Sequence, residues 1–151
     1  MALFETDVIL PVPVEQVFEF LLRPANVALI SPPQLGLIFV NPPEIVQPGT
    51  ELSFKIQSYG QVQTFTHRID EVIRPEKIVE RQIEGLFRKW FHEHLFEAVG
   101  SRQTRVIDRI EFEPPGGVLG FLVTKSRIIE QLEEGFDHRH ARLESMFPST
   151  G

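Results

Sequence analysis

The apolar positions of this chain change period three times. Residues Ala2 to Leu10 alternate loosely and are closed by Pro11-Val12-Pro13, which predicts a first strand. Pro13 suits the opening of a helix, and Val14, Val17, Phe18, Leu21 and Leu22 follow at helical spacing. That helix stops before Pro24, because the residue ahead of a proline avoids the helical region. Ala25 to Ile30 allows one more helical turn before Ser31-Pro32-Pro33 breaks it. From Gln34 onward the period is two. Strands are predicted over residues 34–40, 50–58, 61–73, 78–84, 88–99 and 103–113, with turns at Pro48-Gly49, Tyr59-Gly60, Arg74-Pro75, Gly85 and Gly100-Ser101. Leu52, Phe54 and Ile56 share one strand face. After Pro114-Pro115-Gly116-Gly117 the helical period returns. Val118, Phe121, Leu122, Ile128, Ile129, Leu132, Phe136, Leu143 and Phe147 then form one stripe. As a single helix, Val118 to Met146 would be roughly 43 Å long.

Hairpins that follow one another without intervening helices exclude a doubly wound parallel sheet. The order predicts an α+β fold: a curved antiparallel β-sheet wrapped around one long C-terminal α-helix, with two short helices after the first strand. Residues 1–151 are expected to form a single domain. A curved sheet and a straight helix leave space between them, so a cavity is expected there.

Composition narrows the function. The chain of 151 residues carries a net charge of −6, which argues against a nucleic-acid partner. It has no cysteine, which removes disulfides, thiolate metal sites and thiol catalysis, and fits a reducing compartment. No apolar run reaches the ~20 residues needed to span a bilayer, so no stable membrane insertion is expected. Glu5 and Asp7 interrupt the N-terminal apolar residues, which does not suit a signal peptide, and a cytoplasmic location is expected. Thirteen phenylalanines stand against one tryptophan and one tyrosine, so the core is largely apolar aromatic.

Alternation places Trp90, His92, His94 and Phe96 on one face of a strand, with Lys89, Glu93 and Glu97 on the other. The hairpin centred on Gly100-Ser101 sets His94 opposite Asp108 and His92 opposite Ile110. The preceding hairpin sets Gln82 beside Trp90 and Glu80 beside His92. Val79 and Ile83 compete with Glu80 for the inner face, and a one-residue slip would invert the set. Three readings fit a histidine–carboxylate group inside an apolar cup: it orients a ligand, it satisfies buried polar groups, or His92 or His94 performs acid–base chemistry tuned by Asp108 or Glu80. A His-x-His pair on a strand also ligates metals, but the set here is incomplete. Glu97 faces outward, and Glu80 or His67 joins only if the register cooperates, so no metal or cofactor is expected. His140 is expected to touch the sheet and His138 to face solvent. Gly116-Gly117-Val118-Leu119-Gly120 follows an antiparallel strand and lacks dinucleotide-fingerprint spacing, so it is read as a hinge. The apolar, proline-interrupted stretch Asn26 to Val40 either packs on the first helix or forms a lid.

At these motifs the chain resembles the START-like, Bet v 1-like superfamily with the helix-grip fold, and within it the polyketide cyclase/dehydrase-type ligand-binding subgroup. Trp90-Phe91-His92-Glu93-His94-Leu95-Phe96 is similar to the subgroup's Trp-x-His-x-His-x-Phe strand. Gly85 and Phe87 stand like its Gly-Pro-aromatic turn, with Leu86 in place of proline. Asp108 matches the acid of the next strand, and Pro115-Gly116-Gly117-Val118-Leu119-Gly120 resembles its lead-in to the long helix, with Gly116 expected to widen the cavity mouth. The resemblance implies binding or transport of a small hydrophobic ligand, a lipid, polyketide or isoprenoid-like molecule. The expected lining is Phe54, Phe65, His67, Gln82, Trp90, His92, His94, Phe96, Asp108, Ile110, Leu122, Leu132 and Phe136. A polyketide cyclase/dehydratase using His92 or His94, with Asp108 as a further candidate, is the alternative. A second alternative is an interaction module whose cavity is filled by phenylalanine.

Overall fold

A computed structural model describes residues 1–149. The chain runs β1 (Ala2–Leu10), α1 (Val14–Leu21), α2 (Pro24–Ile30), a 3-10 turn at Pro33–Leu35 and β2 (Ile38–Val40). There follow β3 (Glu51–Ser58), β4 (Gln61–Ile73), β5 (Lys77–Glu84), β6 (Lys89–Ala98) and β7 (Thr104–Glu113), then α3 (Leu119–Leu122) and α4 (Lys125–Met146). The strands form one antiparallel sheet in the order β1-β7-β6-β5-β4-β3-β2. Consecutive strands pair with each other, except that β1 closes against β7. This is the α+β helix-grip arrangement. No helix among the described residues is long and apolar enough to cross a membrane.

Two apolar clusters hold the cup. Phe18 and Leu22 of α1 and its C-cap pack with Leu10, Ile30, Phe96, Val106 and Leu143, all nearly or fully buried. At the other end Phe4, Ile110, Phe112, Val123, Ile128 and Phe136 pack together. A fully buried large apolar side chain contributes about 1.5–3 kcal/mol, so these two clusters clamp α4 and α1 to the sheet.

The predicted single C-terminal helix is corrected: it breaks at Val123 and Thr124. Val123 turns its side chain into the core, at 2 % exposure, and leaves helical geometry. Thr124 is extended, and its hydroxyl accepts from the Arg127 backbone N–H, which starts α4 as an N-cap. The remaining 22-residue helix is about 33 Å long. Val118, Phe121 and Leu122, counted in the apolar stripe, are therefore exposed. The expected strand over 34–40 is likewise only Ile38–Val40, because Pro33 to Leu35 takes a 3-10 turn that ends at Gly36 in the left-handed region.

The register around the histidines is the one expected: His94 pairs with Asp108, His92 with Ile110 and Glu80 with His92. The pairing of β4 with β5 slips twice, leaving Asp70 and Ile83 as extra residues. The first slip turns Asp70 outward, where Arg81 reaches it at 2.9 Å. The unbroken β5–β6 pairing, with Glu80 opposite His92 and Val79 opposite Glu93, resolves the competition for the inner face of β5. Glu80 points inward. Ile83 sits in a bulge, 38 % exposed. Val79 lies in the ladders between Glu71 and Glu93, and Lys77 reaches both carboxylates at 3.5 Å, which covers it.

Candidate functional site

Four neighbouring strands each send polar side chains to the inner face: His67 from β4, Glu80 from β5, His92 and His94 from β6, and Asp108 from β7. They form one continuous cluster. The Glu80 carboxylate lies 3.1 Å from His67 Nδ1 and 2.6 Å from His94 Nε2. Asp108 Oδ1 lies 2.8 Å from His92 Nε2 and 3.1 Å from His94 Nδ1. The His92 and His94 rings stack with centroids 3.7 Å apart. Contact between alternate residues of one strand is possible because their side chains stand side by side on the same face.

The charges follow from these contacts. Burial works against a charge on His94, but its hydrogen bonds to Asp108 and Glu80, and their negative charges, outweigh it and raise its pKa to about 9. Burial lowers His92 to about 4, helped by the charge on His94 and opposed by Asp108. Burial alone would raise both carboxylates. Hydrogen bonds from His67 and His94 hold Glu80 well below the ordinary range, and those from His92 and His94 do the same for Asp108. Near neutral pH the cluster is therefore an imidazolium at His94 clamped between two carboxylates, with a neutral His92 stacked on it. Arg139, the next nearby cation, adds to the field that keeps Asp108 ionised.

One donor atom each from Glu80, His92 and His94 lies within 4.8 Å of the others. A cation bound by both imidazoles would need their lone pairs to converge. Stacked rings 25° from parallel direct them side by side instead, and His94 already gives both nitrogens to carboxylates. The trio fits a hydrogen-bonded cluster and does not fit a preformed coordination site.

Above the cluster lies a cavity in two connected chambers. The outer one, about 520 Å³, is walled by Phe54, Phe65, Phe87, Trp90, Leu132 and Phe136. The inner one, about 240 Å³, reaches Glu80, His92, His94 and Ile110. The phenylalanines do not fill the cup. Phe54, Phe65, Phe87 and Trp90 stack in sequence along the wall, with centroids 4.7–6.0 Å apart, and so line the space rather than occupy it.

Nine of the expected lining residues reach this space: Phe54, Phe65, His67, Trp90, His92, His94, Ile110, Leu132 and Phe136. Four expectations are corrected. Leu122 is 57 % exposed, because the helix break turns it outward. Phe96 packs edge-on against Phe18 beneath α1, 5.0 Å between centroids. Gln82 folds back to donate to the Phe87 carbonyl at 2.7 Å, fixing the turn before β6. Asp108 is 1 % exposed and sits behind the two histidine rings, where it acts through them. Gly116 does not widen the mouth either: a Cβ there would meet the Arg88 guanidinium, so the glycine makes room for that side chain. Gly85 is needed for a similar reason, since a Cβ would overlap Gln82 and the Phe65 ring. His138, expected in solvent, borders the outer chamber, while His140, expected at the sheet, lies against Phe136 of its own helix.

The expected lining does not include Glu80 or Arg139, and both reach the space. Arg139 borders both chambers, with its guanidinium 5.5 Å from the Phe136 ring centroid. It follows Leu132 and Phe136 at the i, i+4, i+7 positions of the apolar face, a spacing that marks it in the sequence. Glu80 is marked by the β5–β6 hairpin, which sets it opposite His92 and so on the same inner face. In the stretch Asn26 to Val40 the packing on the first helix is seen at Ile30. Ile30 is fully buried, while Ser31, Pro32 and Leu35 border the outer chamber.

The family model for polyketide cyclase / dehydrase and lipid transport matches residues 10–136. No curated protein matches the chain significantly. Among solved structures, the chain is similar to the ZhuI aromatase/cyclase from Streptomyces sp. R1128, with a TM-score of 0.70 at 19 % identity over 99 % of this chain and 98 % of that one. A protein from Chromobacterium violaceum gives 0.71 at 14 % identity, over 99 % and 100 %. The major latex-like protein 151 of Panax ginseng gives 0.66 at 14 % identity, over 93 % and 96 %. At these identities the structural neighbours speak for the fold alone. With the family match across most of its length, the chain belongs to the polyketide cyclase/dehydrase and lipid transport family.

Proposed function

We propose that the protein binds a small, largely apolar molecule, a lipid, polyketide or isoprenoid-like compound, in the cavity between sheet and α4. The carrying observation is an aromatic cup of about 520 Å³ whose inner extension ends on a buried, charged histidine–carboxylate cluster. The volume suits a ligand of drug-like size. Apolar burial against Phe54, Phe65, Trp90 and Phe136 supplies affinity at about 25 cal/mol per Å². Orientation falls to Glu80, whose side chain at 18 % exposure is the most accessible of the cluster. As a carboxylate it accepts hydrogen bonds only, so the ligand's inner end carries a hydroxyl or N–H.

Acid–base catalysis is the second reading, favoured by the neighbouring protonated His94 and neutral His92. General catalysis works best with a pKa near the operating pH. Values of about 9 and about 4 lie far to either side of neutrality, which supports binding over catalysis.

Native mass spectrometry of freshly purified protein, repeated after denaturation, tests the proposal. A mass excess that disappears on denaturation is expected, and His94→Ala, although it destabilises the fold by leaving two carboxylates uncompensated, should change which mass the folded fraction retains. A bare wild-type mass, together with no enhancement of anilinonaphthalene sulfonate fluorescence, would overturn it. Turnover of a polyketide-like carbonyl compound with a pH profile near 6–7 would favour the enzyme reading instead.

A further inference from the structure

The corner between β7 and α4 carries an apolar surface that cavity binding does not use. Val118 is 80 % exposed, Leu119 49 %, Phe121 84 % and Leu122 57 %. A phenylalanine at that exposure is costly in water, and here it stands among three other apolar side chains. The geometry explains why they point outward together. A Cβ on Gly120 would come 2.7 Å from the Pro115 carbonyl, so the back of the turn lies against the chain. Val123 anchors its far end in the core. At 100° per residue, positions 118, 119, 121 and 122 fan over about 160° of the opposite side. The result is a convex apolar tip.

Its surroundings are basic. Arg88, Lys89, Lys125 and Arg127 are all exposed on the adjoining turn, strand end and helix start, against Glu84 and Glu113. This local excess of positive charge stands out in a chain of net charge −6. The tip also sits at an end of the sheet that the outer chamber reaches. The turns 59–60 and 85–88 lie at that end, and the outer chamber is walled by Ser58, Leu86, Phe87 and Ile128.

We infer that the Val118–Leu122 tip is a docking element for an anionic lipid membrane, inserting Val118, Phe121 and Leu122 among the headgroups while the basic fringe meets the phosphates. Bulky apolar side chains ringed by Lys and Arg match the chemistry of that interface. A second copy of the chain fits less well, since a four-residue turn is far from the ~800 Å² per partner of a standard interface. Docking here brings this end of the outer chamber to the bilayer surface, where an apolar ligand partitions. The inference goes beyond the binding proposal and is read without any ligand.

The test is co-sedimentation of the full chain with two kinds of vesicle: phosphatidylcholine alone, and equal parts phosphatidylcholine and phosphatidylglycerol. Wild type is expected to bind the anionic vesicles and to bind the neutral ones much less. Phe121→Asp should lower binding to the anionic vesicles by about tenfold or more. Lys125→Glu should lower it by about tenfold. Both positions are exposed, and an unchanged melting temperature would confirm that each variant is folded. Three results would overturn the inference: wild type that ignores both vesicles, binding that survives Phe121→Asp, or a wild-type dimer without vesicle binding that Phe121→Asp dissociates. Because the readout needs no occupied cavity, its failure leaves the ligand proposal standing, and the converse also holds.

Discussion

His94 is the residue on which the interior polar group turns. Its two ring nitrogens reach carboxylates on the strands at either side, Glu80 at 2.6 Å and Asp108 at 3.1 Å. Only the doubly protonated ring satisfies both acceptors. Removing one charge of a buried set leaves the others uncompensated, at a cost of about 3–5 kcal/mol. Glu80→Gln should therefore destabilise the protein in urea by about 3 kcal/mol and move the His94 pKa down toward the ordinary histidine value. Nitrogen-detected NMR titration of the imidazoles reads that shift. A His94 that titrates unchanged in Glu80→Gln would show that Asp108 alone holds its proton. The His–Asp pairing was legible in the sequence, because a short glycine turn fixes the register of β6 and β7. The pairing of Glu80 with His92 was legible in the same way, from the hairpin of β5 and β6. The contact of Glu80 with His67 was not, because the β4–β5 pairing slips at Ile83 and Asp70 and no local pattern announces those slips.

Among the elements, α4 owes its start to Thr124. The stripe of apolar residues runs unbroken from Val118, and periodicity alone extends the helix through it. Periodicity reports which residues could share a face; it does not report whether the sheet offers a surface for that face to cover. Beyond Val123 it does not, and the hydroxyl of Thr124 ends the competition by capping the Arg127 N–H at 3.3 Å. Thr124→Ala should cost about 1 kcal/mol in chemical denaturation, since it orphans that donor. A cost near zero would mean that Val123 burial alone sets the break. The same element carries Leu132 into the outer chamber. Leu132→Trp is expected to fill space there, abolishing anilinonaphthalene sulfonate binding while the melting temperature holds or rises. A variant that binds the dye as wild type does would move the ligand away from this chamber.

At the scale of the molecule, the cluster couples stability to pH from both sides. His94 is raised from 6.5 to about 9 in the folded protein. Its contribution is complete below pH 6.5 and is lost as the pH rises through 9. His92 is lowered to about 4, so the folded state resists its protonation and stability falls as the pH drops from 6.5 toward 4. Glu80 and Asp108 add to the acid limb. Their stabilisation is present above their ordinary values of 4.5 and 3.8, and is lost as the pH falls through their depressed folded ones. The melting temperature should therefore peak near pH 6.5. Each limb carries a slope of up to about 1.4 kcal/mol per pH unit for each proton exchanged. Thermal melts across pH check it: His94→Gln should remove the alkaline limb, and should also shrink the acid limb, because His94 helps to hold Glu80, Asp108 and His92 low. An alkaline limb that persists in His94→Gln would place its origin elsewhere.

The sequence by itself determined the order and type of nearly every element, the antiparallel hairpin pairing and the inward face of β6. These follow from local rules: the period of the side chains, the φ of proline and the tight turns that glycine permits. It also determined that the interior would be aromatic and would hold histidine and aspartate. Tertiary structure decided the rest. Whether thirteen phenylalanines fill a cup or line it depends on their stacking against one another across strands. Whether His67 comes within reach of Glu80 depends on the slips in the β4–β5 pairing. Whether Val118, Phe121 and Leu122 are core or surface depends on where the sheet ends beneath them. Each of these is a relation between residues far apart in the chain, which no window of neighbouring positions contains.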